Sequence, residues 1–286
     1  MIKTENLHKV SGTKGLSKKI GRASFFIRLI ARHLFRFWFP TRAFRILELK
    51  GNPVQYRSCP RNCKLFISDY GPYDANYNTP SSYVAVVQGL DGGVVKKKIP
   101  VSSKPEDLYA FGSYVFVAGS EGKKVEILDA NAELPFKSLE MPGQPVQFLE
   151  LNGELWVFCY DAQKVYFVSI SKSGLSQTKI QSFPVAQATG RIAQGDNDTF
   201  YLLTSSGWPD YKDGITVISL ATGILTTDWK KGTGFYGIGF DPKKQQIYLA
   251  NAKGFQGNGE VTVFQKSGAE VSKFAVGRGP SGFLFR

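Results

Sequence analysis

Beyond residue 43 the apolar positions fall in runs of about five residues, rich in β-branched and aromatic side chains and bounded by Gly, Asn, Asp and Pro. Leu65–Asp69, Tyr114–Gly119, Leu155–Tyr160, Phe200–Ser205 and Ile247–Asn251 form one series. Tyr83–Val87, Val125–Asp129, Val165–Ser169, Ile215–Ser219 and Val261–Phe264 form a second, each following its counterpart in the first. Several runs alternate polar with apolar, as strands do when one face packs on a neighbouring sheet. Asn152-Gly153, Asp161-Ala162 and Lys266-Ser267-Gly268 mark tight turns between strands. No helical period survives past residue 43, and the gaps between strands hold no helices, which excludes an α/β arrangement.

The runs repeat. Leu47-Glu-Leu-Lys-Gly-Asn-Pro-Val-Gln-Tyr56 and Leu139-Glu-Met-Pro-Gly-Gln-Pro-Val-Gln-Phe148 are near-copies, 92 residues apart, twice 46. Looser copies of the Gly-x-Pro slot lie at Pro105 and Pro280, and without proline at Thr189-Gly190-Arg191 and Phe235-Tyr236-Gly237. The mean period of about 45 residues is the length of a four-stranded propeller blade. The pattern predicts an all-β fold, a β-propeller of four-stranded blades over 44–286. Complete blades are expected at 53–101, 105–141, 145–183, 189–230 and 236–276. Two edge fragments remain: Phe44–Leu49 as the last strand of an earlier blade, and Pro280–Phe285 as the first strand of a later one.

Residues 1–43 differ in kind. They carry ten lysines and arginines against one acid, and so hold nine of the chain's thirteen net positive charges, together with both histidines, His8 and His33. The rest is close to neutral, so the overall basicity is not a nucleic-acid signal for the propeller, and no nucleic-acid partner is expected. Arg28, Arg32 and Arg36 share one helical face over 22–39, with Ile27, Ile30, Leu34 and Trp38 roughly opposite. That is a basic amphipathic helix suited to contact with a membrane surface. Its arginines break any secretory h-region and are too costly for a spanning helix. The segment reads as poorly ordered or foreign to the domain, with a membrane-surface helix and a solvated or docked tail as the other readings.

Ile247-Tyr-Leu-Ala-Asn251, Ile215-Thr-Val-Ile-Ser-Leu-Ala-Thr-Gly223 and Val276-Gly-Arg-Gly-Pro280 resemble the three parts of the YVTN-type β-propeller repeat. Tyr236-Gly-Ile-Gly-Phe-Asp-Pro242 with Gly259-Glu-Val-Thr-Val-Phe264 resembles the final blade of bacterial surface propeller lipoproteins found in Bacteroidetes. The resemblance covers residues 44–286. It implies a seven-bladed ring, of which this chain would be an N-terminally incomplete version, and a periplasmic or cell-surface location, although no export signal is visible. Some such proteins bind cobalamin. Ser219 departs from the family's usual Asp.

No histidine follows residue 33, which removes His-based acid–base chemistry, His-ligated metals and Ser-His-Asp or Cys-His nucleophiles from the propeller. No catalytic residue, metal or cofactor is assigned. Gly232-Thr-Gly-Phe-Tyr-Gly237 matches a dinucleotide fingerprint but leads into a strand rather than a helix. Asp74-Ala-Asn76-Tyr-Asn78 opens like a calcium loop but has Thr79 and Ala85 where that loop needs Gly and Glu. Asn197-Asp-Thr199 fits a glycosylation sequon at what reads as a polar turn. Cys59 and Cys63 flank a three-residue turn and invite a cross-hairpin disulfide, whereas Cys159 reads as buried packing.

Three connections between second and third strands are long: 69–82, 205–214 and 252–259. They are rich in Tyr, Trp, Phe, Asp and Asn, the residues of recognition surfaces. Together with residues between blades they define a ligand-binding set of Tyr73, Asp74, Tyr77, Glu106, Arg191, Trp208, Asp210, Tyr211, Tyr236, Phe255, Gln256 and Arg278. Arg278, in a Gly-Arg-Gly turn, is the best single partner for an anionic group. The leading expectation is a non-catalytic envelope propeller binding a small molecule, glycan or protein. The alternative is a propeller enzyme, a lactonase, lyase or redox subunit, using Asp74, Glu106, Asp210 and Asp213 around a divalent metal.

Overall fold

The computed structural model describes residues 44–48, 64–76, 79–88, 94–196, 198–207 and 210–285. Among these, twenty strands form five four-stranded sheets. The first holds β1 (Phe44–Glu48), β2 (Lys64–Asp69), β3 (Tyr83–Gln88) and β4 (Val94–Pro100), and the second β5 (Pro105–Phe111), β6 (Tyr114–Gly119), β7 (Lys124–Asp129) and β8 (Leu134–Glu140). The third holds β9 (Gln144–Leu151), β10 (Glu154–Tyr160), β11 (Val165–Ser171) and β12 (Ser176–Phe183). The fourth holds β13 (Ala188–Gln194), β14 (Thr199–Ser205), β15 (Asp213–Ser219) and β16 (Leu225–Gly232), and the fifth β17 (Phe235–Asp241), β18 (Gln246–Asn251), β19 (Glu260–Gln265) and β20 (Glu270–Ala275). In every sheet, strands consecutive in sequence are hydrogen-bonded neighbours. This run of up-and-down sheets is the blade architecture of a β-propeller.

The described residues divide into two compact units, one within 160–167 and 180–285, the other within 44–159 and 168–179. In the second unit, Phe66, Val84, Val86 and Ile99 of the first sheet pack against Leu108, Val115, Val117 and Leu128 of the second. In the first unit, Tyr201, Leu203 and Ile215 of the fourth sheet pack against Ile238, Phe240, Ile247, Leu249 and Phe264 of the fifth. The middle strands are therefore buried on both faces, which explains their near-continuous apolar runs. The fourth strands are edges of their sheets, and β8 is exposed along almost its whole length.

Local chemistry sets the corners. Asn152 and Gly153 both have positive φ, 51° and 78°, the two-residue turn that Asn-Gly favours between antiparallel strands. The Gly232–Gly237 segment passes from β16 into β17, so no helix N-terminus is present to cradle a phosphate. Cys159 is buried with a free thiol whose pKa is pushed up by burial. Cys59, Cys63, Asn197 and the whole of 1–43 lie outside the described residues.

Two edge expectations are corrected. Phe44–Glu48 is not the last strand of an earlier blade; it pairs antiparallel with Leu65–Asp69 as the first strand of the first sheet. An alternating Phe-Arg-Ile-Leu-Glu run suits either edge of a blade, and its pairing partner, not its pattern, decides the place. Pro280–Phe285 carries one bridge residue, Leu284, rather than a full strand. It lies along β17: a Cβ on Gly237 would come within 2.8 Å of the Ser281 backbone, and one on Gly239 within 2.7 Å of the Phe283 ring. Phe283 and Phe285 pack on Tyr248 and cover the second face of the fifth sheet.

Candidate functional site

In the first unit the residue closing the second strand of a sheet organises the connection that follows. The Asn251 side-chain oxygen accepts the Lys253 N–H at 2.8 Å, and its amide donates to the Thr233 carbonyl at 2.7 Å. This Asn is the last residue of the Tyr-Val-Thr-Asn-like strand, and it pins the 252–259 connection to the turn between β16 and β17. In the fourth sheet, Ser205 accepts the Gly207 N–H at 3.2 Å and donates to Asp213 at 2.5 Å. The second Asp213 oxygen accepts the Phe235 N–H at 2.8 Å, which ties β15 to the start of β17. Asp213 is thus a buried structural acceptor.

Lys253–Phe255 then forms a single turn in which all three residues have positive φ, 49°, 63° and 62°. The Phe255 N–H bonds to the Ala252 carbonyl at 2.9 Å and the Gln256 N–H to the Lys253 carbonyl at 3.4 Å. This is a left-handed turn, which costs about 1–2 kcal/mol at each non-glycine residue. The strain projects Phe255 outward, 48% exposed, with its ring edge-on to Tyr236 at 4.9 Å between centroids. Gly279, also at positive φ, lies against Phe255, and a Cβ there would come within 3.1 Å of the ring. The Arg191 guanidinium stacks over the same Tyr236 ring at 4.2 Å and donates to the Ser281 carbonyl at 3.4 Å. Of the predicted residues, the structure therefore brings Arg191, Tyr236 and Phe255 into one continuous cluster.

Arg278 is exposed in the turn that carries Gly279, one residue from the Phe255 contact. Tyr211 is 48% exposed at positive φ in the β14–β15 connection, and Asp210 there lies 3.9 Å from Lys212. Gln256 is exposed, its side-chain amide directed back to the Gly254 carbonyl at 3.5 Å. Trp208 and Tyr77 lie outside the described residues.

Tyr73, Asp74 and Glu106 belong to the other unit. Asp74 accepts the Asn76 N–H at 2.8 Å, which closes a local turn. Glu106 accepts the Ser120 hydroxyl at 3.3 Å. Lys104 is held above its ordinary pKa, first by its hydrogen bond to Glu121 and less by the nearby Tyr73 and Glu106. Among the described residues no three of His, Cys, Asp and Glu converge on a point where a metal ion could sit.

Sequence reasoning missed Asn251, Lys253, Gly279 and Ser281 as builders of the cluster. The signal for Asn251 was its place at the end of the repeat strand. Lys253 and Lys273 both pair with Glu260, at 3.1 and 2.9 Å, and hold its carboxyl below the usual range, Lys273 contributing most. Glu260 lines a shallow cleft of about 200 Å³ with Lys230, Asn251, Phe264 and Lys273. Lysines and glutamates both line that cleft, so it favours neither sign of ligand charge.

Comparison with protein-family models and with curated proteins finds no match to this sequence. Among solved structures, Kuenenia stuttgartiensis hydrazine synthase is similar to this chain with a TM-score of 0.55 at 13% identity, over 75% of this chain and 62% of that one. The dihydro-heme d1 dehydrogenase NirN, in complex with DHE, is similar with a TM-score of 0.52 at 13% identity, over 79% of this chain and 47% of that one. The chain thus spans less than two thirds of either protein. At this identity the likeness shows the propeller fold alone.

Proposed function

We propose that this protein is a non-catalytic binding propeller of the YVTN type, acting at the cell envelope, that recognises its ligand through the Arg191–Tyr236–Phe255 cluster. One observation carries the reading: a strained left-handed turn holds an aromatic ring half in solvent, next to a second ring already covered by a guanidinium. Strain of this kind persists only where the surroundings over-determine it, and it concentrates at ligand sites. Rigid aromatics offer broad contact at low entropy cost. The YVTN-like residues support the family and the envelope location. Of the four carboxylates named for an enzyme, Asp213 holds Ser205 and Phe235, and Asp74 closes its own turn.

The test is a binding screen of small molecules, glycans and envelope proteins against the full chain, repeated with Tyr236→Ala and Phe255→Ala. The reading expects at least one saturable ligand whose affinity falls about tenfold or more in either variant, as at an interface hot spot. Ligands that bind equally to both variants would place the site elsewhere, and turnover with stoichiometric bound metal would favour the enzyme alternative.

A further inference from the structure

We infer that this site takes a flat, conjugated organic anion, a carboxylate carried on an aromatic body; the inference rests on the binding reading above. Arg191 is only half-buried, and among the described residues it has no carboxylate within ion-pair distance, whereas many of the lysines do. Its interactions are the Tyr236 face at 4.2 Å and one long bond, 3.4 Å, to the Ser281 carbonyl. A guanidinium has five donors in a rigid fork, so most of this fork is left for a ligand. Stacking on Tyr236 fixes its plane in advance, which lowers the entropy cost of a two-pronged bond to a carboxylate.

The neighbours set the rest of the ligand. The Phe255 ring stands edge-on to Tyr236, held there by the left-handed turn and by Gly279. A planar ligand body laid against the exposed Phe255 ring lies beside Tyr236, the ring that carries the Arg191 guanidinium. Arg278, exposed in the turn beside Gly279, adds a second positive charge to this end of the unit. Glu260, beside the turn, is already held by Lys253 and Lys273. A neutral glycan would offer the guanidinium only uncharged acceptors, which make weaker bonds than a carboxylate.

The test is calorimetric titration of the full chain with three probes: 2-naphthoate, its uncharged analogue 2-naphthamide, and cyclohexanecarboxylate, which keeps the charge without the aromatic body. Saturable 2-naphthoate binding at least about tenfold tighter than either comparator is expected, the size of a charge-assisted hydrogen bond. Arg191→Lys should lose about tenfold for 2-naphthoate while leaving 2-naphthamide unchanged, because it keeps the charge but not the fork. Thermal unfolding at the wild-type temperature shows that this variant folds. Equal binding of naphthoate and naphthamide, no naphthoate binding, or no response to Arg191→Lys overturns the ligand class. If screen hits of other chemistry still depend on Phe255, the binding reading survives that outcome; if they do not, both fall.

Discussion

Glu133 offers the sharpest physical test of how the first two sheets are joined. It sits in the β7–β8 turn, only 6% exposed, at a positive φ of 58°. Its carboxylate pairs with Lys64 at 2.8 Å and with Lys96 at 3.3 Å, both from the first sheet. Lys64 also donates to the Ala130 carbonyl at 2.8 Å. The hydrogen bond from Lys64 does most to hold the Glu133 carboxyl below the usual range, against the opposing effect of burial. Lys64→Met removes the main partner and leaves a buried carboxylate. Breaking a buried pair in this way costs about 3–5 kcal/mol. Lys96 remains, but its side chain is half exposed, so the discounted expectation is about 2–3 kcal/mol. Because the folded-state pKa of Glu133 lies below its unfolded value, the stabilisation is fully present above about pH 4.3 and is lost as pH falls through the folded value. Urea unfolding followed by tryptophan fluorescence should show the full gap between wild type and Lys64→Met at pH 7 and a smaller one near pH 3.5. The double variant Lys64→Met/Glu133→Gln should be more stable than Lys64→Met alone at pH 7. A gap under about 0.5 kcal/mol at pH 7, the scale of an exposed pair, would refute the reasoning, as would a gap that does not shrink in acid.

Other predictions follow from the same kind of reasoning. Leu249→Ala, in the core between the fourth and fifth sheets, should cost about 2–5 kcal/mol in urea unfolding. Asn251→Ala removes two of the hydrogen bonds that anchor the 252–259 connection and should cost about 1–3 kcal/mol, with faster amide exchange over 252–256. Gly237→Ala drives a Cβ into the Ser281 backbone, so the 280–285 segment should become protease-sensitive while the five sheets keep their far-ultraviolet signature. If residues 22–39 contact membranes, the full chain should co-sediment with vesicles containing anionic lipid, and a chain lacking those residues should not.

Much of the fold was legible because the middle strands advertise themselves. Phe200–Leu203 and Ile247–Ala250 are buried on both faces, so their apolar runs are continuous and their ends are marked by Ser205 and Asn251. The first and last strands were harder to read. Phe44–Glu48 and Leu134–Glu140 lead into the two near-copies, yet one is a first strand and the other a fourth, because one pairs with the strand after it and the other with the strand before it. The site was half legible. Arg191, Tyr236 and Phe255 were chosen for residue type and position, and they meet. The left-handed turn was not readable, since nothing in Lys-Gly-Phe alone requires it; Asn251 pulling on the Lys253 N–H and the bare Gly279 opposite make room for it. Asp74 and Asp213, named as cation ligands only under the enzyme alternative, each accept a backbone amide, a bond that sequence alone does not show.

The central claim is that ligand binds at the Arg191–Tyr236–Phe255 cluster. Hydrogen–deuterium exchange of the full chain, with and without a saturating ligand from the screen, tests it most directly. Protection confined to 188–192, 233–236, 252–259 and 276–281 is the predicted result. Protection centred on fourth strands such as β8 or β20, with those four segments unchanged, would contradict it.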